Sequence, residues 1–194
     1  MRAPPAILVL AAGASSRMRG SDKLLEEVNG TPLILRAVRA ALGVAAEVIV
    51  ALPPASPRRA WLGDSAARLV EVEDRAMSAS LRAGVAACRA EALLVHLADM
   101  PEIDAAALAA LSDVWMASTA PVLRATDADG TPGQPVIFAR TLFGELSELT
   151  GDTGAREIVA RHPVDTFALP GRAATTDLDT PEAWAAWRAA NPGR

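Results

Sequence analysis

Four short aliphatic runs stand out along the chain: Ala6 to Ala11, Glu47 to Leu52, Leu69 to Glu73 and Ala92 to Leu97. Runs such as Ile7-Leu8-Val9-Leu10 and Leu93-Leu94-Val95 have no polar face, which predicts strands of a parallel sheet covered on both sides. Amphipathic segments lie between them. Thr31-Pro32 reads as a helix N-cap with proline at the first helical position, and Leu33, Leu35, Val38 and Leu42 then form an apolar stripe that ends at Gly43. Ser78 to Cys88 and Asp104 to Met116 are predicted as two further helices.

The second half is less regular. Pro121 to Ala125 and Pro135 to Phe138 are predicted strands around the polar loop from Thr126 to Gly133, a hairpin-like insertion. Helices follow at Thr141 to Leu149 and Thr153 to Arg161, then a strand at Val164 to Leu169 and a last helix opening at Thr180-Pro181. This order predicts a doubly wound α/β fold with a mostly parallel sheet and a small antiparallel insertion in the second half. In such folds ligands bind beyond the carboxyl ends of the strands. No internal repeat or linker divides the chain, so residues 1–194 are expected to form one domain.

Composition narrows the function. With 194 residues, 51% of them hydrophobic, the chain is long enough to bury a core of its own. Nineteen basic against 23 acidic side chains give a formal charge of −4, which argues against a nucleic-acid partner. No apolar run is long enough to span a bilayer. The segment Met1 to Ala12 imitates a short signal peptide, but cleavage near Ala14 would delete a well-formed strand. The single cysteine, Cys88, fits a core position better than a nucleophile, and a reducing cytoplasmic setting is expected. Of the nineteen basic residues only Lys23 is lysine, an exception within an arginine-biased chain.

Lys23 lies in the segment that follows the first strand, Leu10-Ala11-Ala12-Gly13-Ala14-Ser15-Ser16-Arg17-Met18-Arg19-Gly20-Ser21-Asp22-Lys23. Small residues let backbone N–H groups approach phosphate oxygens, and Arg17 and Lys23 can neutralise charge from two sides. Neither a dinucleotide Gly-x-Gly-x-x-Gly nor a Gly-Lys-Ser/Thr P-loop is present. Two other segments carry carboxylates. Asp99, in Leu97-Ala98-Asp99-Met100-Pro101, sits at the carboxyl end of a strand, where it could hold Mg²⁺ against a triphosphate. Asp177 and Asp179 are two apart on an extended segment and so face one side, although Asp179 or Thr180 also suits an N-cap before Pro181. His96 is expected to pack inside the fold. Asp152 or Thr153 could cap a helix whose N-terminus attracts an anion, with Arg156 one turn in.

From Leu10 to Leu33 the order Leu-Ala-Ala-Gly, Ser-x-Arg-Met, Asp-Lys-Leu-Leu and Gly30-Thr31-Pro32-Leu33 resembles the nucleotide-binding signature of the molybdenum cofactor nucleotidyltransferases. These enzymes move CMP or GMP from an NTP to the phosphate of molybdopterin. The resemblance implies that Leu10, Ala11, Ala12, Gly13 and Lys23 bind the nucleotide, with Lys23, Arg17 and Asp99 as the catalytic set. It implies Mg²⁺ on Asp99, and on Asp177 in preference to Asp179. Met77-Ser78-Ala79-Ser80-Leu81 resembles the family's segment beside base and ribose, so Ser78 and Ser80 are expected there. Gln134 and Arg156 are expected on the pterin-phosphate side. Leu-Ala-Ala-Gly resembles the cytidylyltransferase branch, whereas the guanylyltransferase branch tends to have two glycines, so CTP is the expected donor. The reaction implied is in-line attack by the acceptor phosphate on the NTP α-phosphorus. A molybdenum enzyme or its chaperone would be the downstream partner. Two other readings stay open: a sugar- or polyol-phosphate cytidylyltransferase, whose usual Pro-Lys-Gln is replaced here by Asp22-Lys23-Leu24, and a nucleotide-binding accessory protein without turnover.

Overall fold

The computed structural model describes residues 1–63, 65–74, 76–151 and 154–192. Among the described residues nine strands and seven α-helices follow one another as β1 (Ala6–Leu10), β2 (Glu27–Val28), β3 (Thr31–Pro32), α1 (Leu33–Leu42), β4 (Val48–Leu52), α2 (Arg59–Leu62), β5 (Arg68–Glu71), α3 (Met77–Ala87), β6 (Ala92–Leu97), α4 (Ala105–Ala117), β7 (Val122–Thr126), β8 (Pro132–Ala139), α5 (Phe143–Ser147), α6 (Arg156–Arg161), β9 (Val164–Ala168) and α7 (Pro181–Ala190).

Seven strands form one sheet in the order β5-β4-β1-β6-β8-β7-β9. The pairs β5 with β4, β4 with β1, β1 with β6 and β7 with β9 are parallel. Only β8 runs the other way, antiparallel to both β6 and β7. The expected hairpin of β7 and β8 is therefore no appendage, because its second strand is built into the sheet beside β6. The chain leaves β1 for β4 on one side and reaches β6 on the other, so the strand order switches at β1. That switch opens a crevice at the carboxyl ends of β1 and β6.

Alternation in β1 assigns each side chain to a layer. Ile7 and Val9 join the core under α1, α4 and α7, while Ala6 and Leu8 join the core under α3, α5 and α6. All four are buried, as the unbroken apolar run predicts. Helix α3 lies so close to the sheet that a Cβ on Gly84 would stand 2.2 Å from a Leu8 methyl carbon. Cys88 and His96 are buried, as expected.

Several local expectations differ. Thr31 is not a helix cap: Thr31 and Pro32 pair with Val28 and Glu27 in a two-stranded ribbon, and Pro32 itself is the N-cap of α1. The ribbon and the short α2 have no sequence counterpart among the expectations. The helix expected over Thr141 to Leu149 divides into a 3-10 turn, Arg140–Leu142, and α5. Thr180, rather than Asp179, caps α7 by accepting from Ala183 N–H at 3.1 Å. Asp152 and Thr153, expected to cap the helix at Arg156, lie outside the described residues.

Candidate active site

The segment between β1 and β2 curls over the crevice with Ser15 and Arg19 both at φ 52° and Gly20 at φ 102°. Two non-glycine residues in the left-handed region mark a loop whose shape is imposed by its surroundings. Much of that imposition comes from Arg58, at the start of α2 and almost fully buried. Its guanidinium donates to Asp22 through Nε (2.7 Å) and Nη2 (2.8 Å), to the Ala11 carbonyl (2.5 Å), to the Gly13 carbonyl (2.9 Å) and to Ser15 Oγ (3.2 Å). Ser15 Oγ donates in turn to Asp22 and accepts from Lys23 N–H. Burial alone would raise the Asp22 pKa; the hydrogen bonds and charge of Arg58, helped by Leu24 N–H and Ser15, outweigh it and hold the carboxyl below its ordinary value.

Lys23 reaches across the crevice from this loop. Its ammonium donates to Asp99 Oδ2 at 2.5 Å and to Asp179, and Asp179 also accepts from Arg17. Burial would depress the Lys23 pKa, but Asp99 and Asp179 outweigh it and raise it, so the amine is charged at neutral pH. Asp99 follows β6 directly. The 176–179 segment is brought to it by the chain itself, since Leu178 N–H donates to the Asp99 carbonyl at 3.2 Å. Burial, and then repulsion from Asp179 and Asp99, raise the Asp177 pKa. Asp179 titrates low because Lys23 and Arg17 outweigh its burial.

Leu10, Ala12, Gly13, Arg17, Lys23, Ser80, Asp99, Asp177 and Asp179 line one cavity together with Leu24, Met77 and Leu97. A second cavity adjoins it, sharing Leu10, Met77 and Leu97, and is lined by Gln134, Arg156 and Arg124 over an apolar floor of Leu81, Val95, Val136 and Phe138. Most of the expected site residues thus gather around one cleft. Two do not face it. Ala11 is fully buried, its N–H donating to the Ala51 carbonyl and its own carbonyl held by Arg58. Ser78 is buried and its hydroxyl accepts from Arg82 at 3.2 Å. Sequence reasoning missed Arg58 and Arg124. It also left Asp179 to local structure or substrate contact, whereas this carboxylate is the shared partner of Lys23 and Arg17.

The donor set suits a hard divalent cation. Asp99 Oδ1 is buried without a hydrogen-bond partner, while its other oxygen binds Lys23. Asp177 adds a second carboxylate on the same cavity wall. Among the described residues no group of three or more His, Cys, Asp or Glu side chains closes around one point. Two carboxylates with remaining positions filled by phosphate and water is an ordinary way to hold Mg²⁺.

A switch-point α/β sheet whose crest joins a small-residue cationic loop to acidic side chains defines a protein of the nucleotidyltransferase class. The match to a family model confirms the class: residues 7–166 fit the MobA-like NTP transferase domain, and the chain belongs to that family. A molybdenum cofactor guanylyltransferase of Burkholderia vietnamiensis is 32% identical over 166 residues, which cover 80% of this chain and 81% of that one. A protein of the same name from Pseudomonas fluorescens is 36% identical over 110 residues, 57% of this chain, and only 55% of that relative's length is spanned. Among solved structures, Rv0371c of Mycobacterium tuberculosis superposes with a TM-score of 0.84 at 32% identity, covering 95% of this chain and 98% of that one. The same mycobacterial protein has been solved in complex with manganese. Both curated relatives are named for guanylyl transfer, so the expectation of a cytidylyl donor finds no support in their names. No described helix is long and apolar enough to cross a membrane.

Proposed function

We propose that this protein transfers a nucleoside monophosphate from an NTP to the phosphate of a molybdopterin-type acceptor and releases pyrophosphate. The observation that carries the reading is the pair of adjoining cavities with opposite provisions. One holds Lys23, Arg17 and the carboxylates under the small-residue loop; the other sets Arg124 and Arg156 over an apolar floor, with no acidic side chain among the described residues that line it. A triphosphate suits the first, and a flat heterocycle ending in a phosphate suits the second. Burial, and then the charge of Arg156, lower the Arg124 pKa, and a bound anion between the two guanidiniums would relieve the second of these effects.

In this reading an oxygen of the acceptor phosphate attacks the α-phosphorus, the bond from that phosphorus to the β-phosphate oxygen breaks, and pyrophosphate leaves. The attacking phosphate is already largely dianionic near neutral pH, so no base is needed. His96, fully buried with both ring nitrogens unpartnered, is not called on. Lys23 turns from its carboxylates to the donor phosphates and, with Arg17 and loop N–H groups, carries the charge that builds on the leaving pyrophosphate. Asp99 and Asp177 would hold a divalent ion, and the manganese complex of the mycobacterial relative supports a metal in this family. Such an ion, Mg²⁺ by expectation, would supply Lewis-acid neutralisation of donor oxygens.

The donor base has support on two sides. Leu10-Ala11-Ala12-Gly13 has alanine at 12 where the guanylyltransferase branch tends to have two glycines in a row, which favours CTP. The names of the relatives favour GTP. Pyrophosphate release from purified protein with Mg²⁺, molybdopterin and each NTP in turn separates them, the productive base being the donor. Binding of an NTP with no pyrophosphate released for any acceptor, sugar and polyol phosphates included, would overturn catalysis and leave an accessory protein. Delivery to a molybdenum enzyme or its chaperone in the cytoplasm is the role this activity implies.

A further inference from the structure

We propose that Arg58 is a positioning residue for the donor triphosphate, setting the loop after β1 in its phosphate-binding conformation; the assignment rests on the donor reading of that cavity. A buried arginine is costly unless its donors are used. Arg58 spends its donors on one loop: the carbonyls of Ala11 and Gly13, the hydroxyl of Ser15 and both oxygens of Asp22. Its neighbour Arg59 shows the ordinary alternative, a surface pair with Glu71 in which both side chains are about half exposed.

Peptide geometry turns this clamp into function. In a trans peptide the carbonyl of one residue and the N–H of the next point in opposite directions. Holding the Ala11 and Gly13 carbonyls toward Arg58 therefore turns the N–H groups of Ala12 and Ala14 away from it. Neither N–H has a hydrogen-bond partner among the described residues, and Ala12 and Gly13 line the nucleotide cavity. The guanidinium thus leaves a row of donors free for phosphate oxygens while it absorbs the acceptors that would repel them. The forked pair with Asp22 extends the effect to the next residue, Lys23. Lysine at 58 could not reproduce it, because one ammonium cannot serve two carbonyls and a forked carboxylate together.

The test compares wild type with Arg58→Lys, Arg58→Met and Asp22→Asn, each checked for folding by thermal unfolding. Binding of CTP and GTP with Mg²⁺ is titrated calorimetrically, and KM for donor and acceptor are measured separately. The expected result is a rise of about tenfold or more in Kd and KM for the nucleotide in all three variants, with the acceptor KM within about twofold of wild type. A purely structural role would instead lower kcat through a smaller folded fraction and leave both KM values alone. That outcome, or a parallel rise in both KM values, overturns the proposal. Should the Arg58 variants fail to fold, Asp22→Asn, which loosens the same clamp from its other side, decides alone. Should wild type bind nucleotide but release no pyrophosphate, the transferase reading fails while the nucleotide Kd still judges Arg58.

Discussion

Replacing Lys23 by methionine keeps the bulk of the side chain and removes only its charge. In the native site one ammonium bonds to both Asp99 and Asp179, and the three side chains are 14%, 13% and 18% exposed. Oxygens bonded to one nitrogen stand about 4 to 6 Å apart, so at an effective dielectric near 20 their unscreened repulsion is about 3–4 kcal/mol, part of which Arg17 still offsets at Asp179. The cheaper response is for one carboxylate to take a proton, which calls for a pKa raised by up to about two units. Lys23→Met is therefore expected to be less stable than wild type at pH 7 by up to about 3 kcal/mol, with the deficit shrinking by pH 5. Recovery of the desolvation cost of the ammonium offsets part of the loss. Turnover responds separately: removing one preorganised charge from the leaving-group side lowers kcat by about 10²- to 10³-fold. Urea unfolding at the two pH values and initial rates of pyrophosphate release measure both. Near-normal turnover, or a stability deficit equal at pH 5 and pH 7, would refute the reasoning.

Three further outcomes follow from single positions. A Cβ on Gly133 would stand 2.0 Å from the Ala174 carbonyl oxygen, a backbone atom, so Gly133→Ala must push away the turn that leads to Asp177; we expect a loss of about 2–4 kcal/mol in thermal unfolding and a weakened Mg²⁺ response, and an unchanged melting temperature would contradict this. Burial lowers the His96 pKa to about 4, so the unfolded chain takes a proton between pH 6.5 and about 4 that the folded one refuses. Stability should fall by about 3 kcal/mol as pH drops through that window, and His96→Phe should remove the slope relative to wild type in unfolding measured across it. Asp177→Asn removes a candidate ligand without breaking an ion pair, whereas Asp179→Asn breaks the pairs with Lys23 and Arg17; the first should raise the Mg²⁺ needed for half-maximal rate about tenfold at unchanged melting temperature, the second should lower the melting temperature, and identical behaviour would dissolve the distinction.

What could be seen in the sequence was whatever is carried by neighbours along the chain. The parallel strands were legible because Ile7 to Leu10 and Leu93 to Val95 are apolar on both faces, a local fact with one structural solution. The place of the loop from Gly13 to Lys23 on the cleft was legible because it follows a buried strand directly, where α/β folds gather their ligand loops. Asp99 and Asp177 were marked by their place at the ends of elements. The misses share the opposite property. Arg58 is identical in type to exposed Arg59, and only its distance in space from Asp22 and Ala11, 36 and 47 positions away in sequence, separates them. Arg124 sits within an ordinary strand, and only the fold brings it into the lining of the same cavity as Arg156. Ser78 and Ser80 looked equivalent, yet the helix turns the first to Arg82 and the second to the cleft.

The insertion of β8 into the sheet fixes the second cavity against the first, with Leu10, Met77 and Leu97 lining both. Had the hairpin hung free, Gln134 would have had no fixed relation to β1. Paired with β6, β8 carries Gln134 and Val136 into the wall of the second cavity beside Leu97. At Gly133 and Gln134 the same strand meets the far end of the chain, because Gln134 N–H donates to the Ala174 carbonyl at 2.8 Å. That turn leads within three residues to Asp177, and Leu178 then bonds back to Asp99 on β6. A short circuit of backbone contacts thus links that wall, the carboxylates and the switch-point strands without relying on a flexible side chain. In-line transfer needs the attacking oxygen and the α-phosphorus set to within a fraction of an ångström. In the proposed reaction, an antiparallel strand in an otherwise parallel sheet holds the acceptor and donor cavities on one rigid frame.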